Sequence, residues 1–138
     1  KGIKKNKIEG DKSTPKGFFS IGKLYYRADR VPKPRTDLNI KKIYPNLGWC
    51  NDSKSNFYNS EIKIRKNIKH EKLFRKDYKY NYILTINYNH KKIPYKGSAI
   101  FIHLTKNYKP TVGCVALKEK DFLIMLKLIK KKTKIKIN

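Results

Sequence analysis

Hydrophobic and polar positions alternate along most of this chain, and one late stretch switches to helical spacing. Residues 17–27, GFFSIGKLYYR, are aromatic and β-branched and read as a strand, with Gly22 as a bulge. The proline-rich VPKPRT after it is extended, and NIKKIYP (39–45) is a short strand. GWCNDSKSNFYNS (48–60) reads as a long polar loop with aromatics near both ends, and EIKIR (61–65) alternates as a strand. KHEKLFRKD (69–77) is expected to hold one helical turn, and YNYILTINYN (80–89) is an apolar strand. In GSAIFIH (97–103), alternation puts Ala99, Phe101 and His103 on one face and Ser98, Ile100 and Ile102 on the other. His103 thereby ends a buried strand. In KEKDFLIMLKLIK (118–130), Phe122, Met125, Leu126 and Ile129 recur at helical spacing, and Glu119 and Asp121 sit where the helix dipole favours acids. TKIKI (133–137) closes the chain as an edge strand guarded by lysines, and the polar, turn-rich first residues read as a loop. Short strands with one late helix predict a mainly β fold, a sandwich or barrel with one C-terminal helix packed on it, in a single domain over 1–138.

Composition narrows the partners. No apolar run approaches the ~20 residues of a membrane-spanning helix, and no signal-peptide pattern is read at the start. The net charge of +25 invites a nucleic-acid reading. Thirty lysines against five arginines weaken it, because specific base and phosphate readers lean on the arginine fork. Lys, Asn, Ile and Tyr, all abundant here, share A/T-rich codons, and the basic residues are scattered rather than gathered. No specific nucleic-acid partner is expected; attraction to an anionic surface such as a cell wall or membrane fits better. Two cysteines are too few to frame a disulfide scaffold. With no CxxC and no histidine pair at ligand spacing, no metal or other cofactor is expected.

Chemistry concentrates in HLTKNYKPTVGCVAL, residues 103–117. A thiol with a free pKa of ~8.5 needs a base or a local field to become a nucleophile, and imidazole is the usual activator. A strand ending at His103, a loop through LTKNYKP and a return strand CVAL set the imidazole beside the thiol of Cys114. A hydrogen bond between them, or a slightly looser contact, is expected. Gly113 lets substrate approach the backbone, and the N–H groups around Val112, Gly113 and Cys114 suit a developing oxyanion. The same residues also fit a bland arrangement, with Cys114 as a small core residue and His103 as a hydrogen-bonded strand end.

The blocks GSAIFIH and TVGCVAL together resemble the signature of the YkuD-type L,D-transpeptidase catalytic domain: a strand-end histidine, a spacer, then Ser/Thr-x-Gly-Cys. EGDKSTPKGFFSIG resembles that family's entry segment, GWCNDSKSNFYN the Gly-Trp-Cys-Asp-Asp-Pro loop of a small bacterial branch, and HEKLFRKDYKYNYIL that branch's His-Glu-x-Leu-Trp-Arg segment. The resemblance implies Cys114 as nucleophile, His103 as its base, and Thr111 and Gly113 as the motif's Ser/Thr and glycine. Val112 stands where the family commonly has His, and Ala116 where it commonly has Arg or Asn; the small branch shares both departures.

Further candidates carry less. Thr14, Pro15 and Gly17 match a Thr-Pro-x-Gly cleft element or form a plain turn. Trp49 and Cys50 roof the site or fill the core, and a Cys50–Cys114 disulfide would block the nucleophile. His70 lines the cleft or is solvated beside Glu71. The implied function is acyl transfer on peptidoglycan stem peptides through a Cys114 thioester, by a monomer in the periplasm or cell wall. Water as acceptor would make the same site an L,D-carboxypeptidase. The rival is a non-catalytic basic module binding nucleic acid or wall polymer.

Overall fold

The computed structural model describes residues 1–138. Its elements in chain order are β1 (Ile3–Lys4), β2 (Thr14–Pro15), β3 (Gly17–Tyr26), β4 (Ile40–Lys42), β5 (Leu47–Cys50), β6 (Glu61–Lys63), β7 (His70–Lys72), a 3₁₀ turn (Tyr78–Tyr80), β8 (Tyr82–Ile86), β9 (Phe101–Leu104), β10 (Val115–Leu117), α1 (Glu119–Leu128) and β11 (Lys134–Ile137). The fold is mainly β, with the single α-helix near the C-terminus.

Six strands form the main sheet, in the order β10-β9-β8-β3-β11, with β4 also on β3. β3 is long enough to pair with β11, β4 and β8, and it shifts register against β8 between Ile21 and Leu24. The bend falls where sequence placed it. A Cβ on Gly22 would lie 2.3 Å from Thr85 Oγ1, so only glycine lets β8 come this close. A second sheet, β6-β5-β7, covers one face of the first.

The centre of the main sheet, β8 and β9, is buried on both faces, and alternation assigns each side chain. Leu24, Leu84, Ile100 and Ile102 face α1, whose Phe122 and Leu126 are almost fully covered. Tyr25, Ile83, Ala99 and Phe101 face the second sheet and meet Leu47, Leu73 and Tyr80 there. Burial on both faces explains why all five residues of β8 are covered.

Three sequence expectations are corrected. The stretch 48–60 begins with the end of a strand, and 69–77 holds β7 rather than a helical turn, the 3₁₀ turn coming just after it. The strand expected over 97–103 starts only at Phe101, because Ala99 is left-handed at φ 54°.

Candidate active site

β9 and β10 run parallel, with Ile102 opposite Val115 and His103 opposite Ala116. The chain leaves β9, crosses through 105–114 and returns in the same direction. Cys114, one residue before β10, therefore falls opposite Phe101, and His103 is its diagonal neighbour on the same face. Both side chains line a cleft of about 520 Å³ with Thr111, Val112 and Ala116. Around them stand Glu9 and Asn51 on one side, and Glu71, Arg75 and Tyr80 on another.

His103 is buried, and its Nδ1 lies 3.0 Å from the carbonyl oxygen of Leu104. A carbonyl only accepts, so Nδ1 carries the hydrogen and Nε2 is left as a free acceptor. Burial holds the imidazole pKa below its ordinary value, and the positive charges of Lys79 and Arg75 push the same way. The ring is neutral at pH 7 and packs 5.5 Å, centroid to centroid, from Tyr80.

The expected hydrogen bond from thiol to imidazole is absent. Cys114 Sγ donates instead to the carbonyl oxygen of Ala99 at 3.3 Å. Burial pushes the thiol up to about 12, and the carboxylate of Glu71 adds to the shift. The resting pair is thus a neutral thiol and a neutral imidazole on one wall, not an ion pair. The N–H groups of Val112, Gly113 and Cys114 have no acceptor within the protein, while Thr111 Oγ1 closes the turn by donating to Cys114 O at 2.6 Å. Free N–H groups beside a thiol suit an oxyanion.

A polar web frames this wall. Tyr80 donates its hydroxyl to Glu71, whose carboxyl is raised by burial against the opposing pull of that bond and of Arg75. The Arg75 guanidinium lies 4.8 Å over the Tyr80 ring and pairs with Asp77 at 2.6 Å. Arg27, itself buried, donates to Arg75 O at 2.5 Å and fixes the segment that carries these groups. At the other rim, Glu9 accepts from Tyr58 Oη at 2.5 Å and from Ser98 Oγ at 2.7 Å.

The N-terminal segment closes the floor. Lys7 and Asp11 form an ion pair at 2.7 Å, with side chains only 4% and 6% exposed. Burial alone would raise Asp11, but bonds from Lys7, Ser13 and Ile8 outweigh it and hold the carboxyl far below the ordinary range. A depressed carboxylate stabilises above its unfolded pKa of about 4, and the contribution is lost as pH falls toward the folded value. Asp11→Asn should therefore cost about 3 kcal/mol near neutral pH, the lower end for breaking a buried pair, because the segment can relax toward solvent. Melting curves from pH 7 to 2 check this: the gap between variant and wild type should shrink below pH ~4. A constant gap across that range would refute the assignment.

The other sequence candidates are distributed unevenly. Thr14 and Pro15 form β2 against β1, and Gly17 opens β3; none of the three lines the cleft. Trp49 packs edge-on against Phe101 at 5.2 Å and Tyr25 at 6.5 Å, bordering a second cavity of about 460 Å³. In the pairing of β5 with β7, Trp49 faces Glu71 and Cys50 faces His70. Period-two alternation thus sends Cys50 and His70 away from the cleft. Cys50 is fully buried, His70 Nδ1 bonds Ile68 O at 2.6 Å, and both cysteines are free. Asn51 and Glu71, one residue along from each, line the cleft in their place. The missed signal was the alternation of Glu71 with Leu73, which marks an inward strand face.

No helix is long and apolar enough to cross a membrane. Comparison with curated proteins and with solved structures gave no match. The family model of the L,D-transpeptidase catalytic domain, YkuD, matches residues 2–137, nearly the whole chain. With a mainly β fold and that coverage, the chain belongs to the YkuD family of L,D-transpeptidase catalytic domains.

Proposed function

We propose that the protein is a cysteine acyltransferase that joins peptidoglycan stem peptides, with Cys114 as nucleophile and His103 as general base. The observation that carries this reading is the tautomer of His103. Its Nδ1–H is spent on Leu104 O, so a free Nε2 lone pair shares the cleft with Cys114 Sγ. Sγ attacks the carbonyl of the donor peptide as its proton passes to Nε2. The oxyanion takes hydrogen bonds from the N–H groups at 112–114. Collapse breaks the C–N bond; the departing amine takes the proton from His103 and leaves a thioester on Cys114. An amine of a second stem attacks the thioester, its proton returns through His103, and the thiol is restored.

The charge pattern suits such a substrate. Lys12, Lys79, Lys106 and Lys109 rim the cleft, in a chain of net charge +25, and attract carboxylate-bearing peptides and anionic wall polymers. The work site is outside the cytoplasmic membrane, where peptidoglycan lies.

Mass spectrometry of purified muropeptides after incubation tests the reading. Wild type should give cross-linked products and a covalent adduct on Cys114, and Cys114→Ala neither. Trimmed peptides without cross-links would assign water as acceptor, a carboxypeptidase. Wild type and Cys114→Ala giving the same products would refute the proposal.

A further inference from the structure

Asn59 lies outside the cleft lining, yet its side chain uses its full hydrogen-bonding capacity. Oδ1 accepts from Trp49 Nε1 at 2.9 Å and from the N–H of Ala99 at 3.1 Å. Nδ2 donates to Tyr88 O at 2.9 Å and Asn89 O at 3.1 Å. Its backbone N–H bonds Cys50 O at 2.9 Å. One residue thus ties the end of β5 to the turn after β8 and to the turn before β9.

The tie to Ala99 matters because of where Ala99 sits. It is left-handed, at φ 54°. Asn tolerates that region, as Asn59 at 52° and Asn89 at 47° do here. Alanine does not adopt it without a hold from its surroundings. The left-handed turn aims the Ala99 carbonyl at Cys114 Sγ. Ala99 therefore holds the thiol through its carbonyl, and Asn59 holds Ala99 through its N–H.

We infer that Asn59 is a positioning residue for the nucleophile, fixing the Ala99 turn so that its carbonyl holds the Cys114 thiol in place until substrate turns it to His103. The inference rests on Cys114 being the nucleophile. It accounts for a thiol that sits beside a free imidazole without bonding it. The titratable groups around the sulfur are Glu71 of β7, Tyr80 of the 3₁₀ turn, Lys7 of the N-terminal segment and His103 of β9. Asn59 changes none of these charges, so its effect on the thiol must run through the turn.

Asn59→Gly tests this, because glycine keeps the left-handed backbone and deletes only the side chain. The loosened turn releases the sulfur from the Ala99 carbonyl, a bond that favours the neutral thiol. Iodoacetamide should then label Cys114 about tenfold faster at pH 8, the effect of a one-unit fall in the thiol pKa. The kcat for acyl transfer should fall by ~10–10²-fold with KM little changed, as expected of a misplaced nucleophile. In the wild-type protein itself, amide exchange by NMR should find the Ala99 N–H protected. A wild-type labelling profile in Asn59→Gly or an Ala99 amide exchanging like an exposed one would each overturn the inference. If wild type forms no adduct on Cys114, the acyltransfer reading falls instead. If it does while Asn59→Gly behaves as wild type, only this inference falls.

Discussion

Replacing Cys114 with alanine should abolish adduct formation and turnover together, and replacing His103 with alanine should slow acylation by ~10²–10⁴-fold, the usual span for a positioned general base. The resting electrostatics add a sharper expectation. Burial and Glu71 hold the thiol neutral with a pKa pushed up to about 12, and burial holds His103 neutral as well. No thiolate–imidazolium pair exists before substrate arrives, so His103 acts during attack rather than before it. Iodoacetamide, which needs preformed thiolate, should therefore label Cys114 slowly at pH 7 and faster as pH rises. Wild type and His103→Ala should follow similar labelling profiles, both displaced above a free cysteine, while their acylation by donor peptide differs by orders of magnitude. Alkaline pH should restore part of the acylation lost in His103→Ala, as the thiol ionises unaided. The double variant should be little worse than Cys114→Ala, because the two groups act as one unit. Rapid labelling of wild type at pH 6–7 that disappears in His103→Ala would mean a preformed ion pair and would overturn this sequence of events.

The way these residues meet was only partly legible in the chain. Alternation in GSAIFIH separated Ile100 and Ile102 from Phe101 and His103, and the two groups face the two sides of the main sheet as expected. The helical spacing of Phe122 and Leu126 likewise found the packed face of α1. What was not legible depends on contacts distant in sequence. Ala99 belongs to a strand by composition; the tie from Asn59, forty residues earlier, holds it left-handed and delays β9. The parallel pairing of β9 and β10 is set by the path of the crossing loop, and it turns two facing strand ends into a diagonal pair. In KHEKLF, lysines on both sides of Glu71 hide the inward pair Glu71 and Leu73. The resemblance of that block pointed to His70, and a one-residue offset in a strand exchanges the faces completely. Lys7 was invisible for a similar reason: among thirty lysines, nothing local marks the one that is buried.

Gly113→Ala should disable the site without touching either reacting group. Gly113 has φ +106°, and a Cβ built there would lie 2.4 Å from the carbonyl oxygen of Ser13. That oxygen belongs to backbone held by Asp11, which accepts from both Ser13 N and Ser13 Oγ. The floor therefore does not yield as a flexible side chain would, and the turn 111–114 has to move instead. Cys114 is the next residue and the N–H groups suited to the oxyanion lie on that same turn, so nucleophile and donors shift together. A displacement of ~1 Å at a reacting group costs on the order of 10²-fold in rate, and acyl-enzyme formation should fall at least that far. Gly2→Ala separates strain from collision, since Gly2 is also left-handed at φ +76° but nothing lies within 4 Å of its would-be Cβ. Gly2→Ala should lose ~1–2 kcal/mol of stability, the cost of a left-handed alanine. Gly113→Ala should lose more, because Ser13 must be displaced as well. Melting temperatures of the two variants, read beside the rate of donor acylation, check both parts. A Gly113→Ala protein that melts like Gly2→Ala and acylates at the wild-type rate would mean that the turn is not held against Ser13, and that the site does not depend on the N-terminal segment.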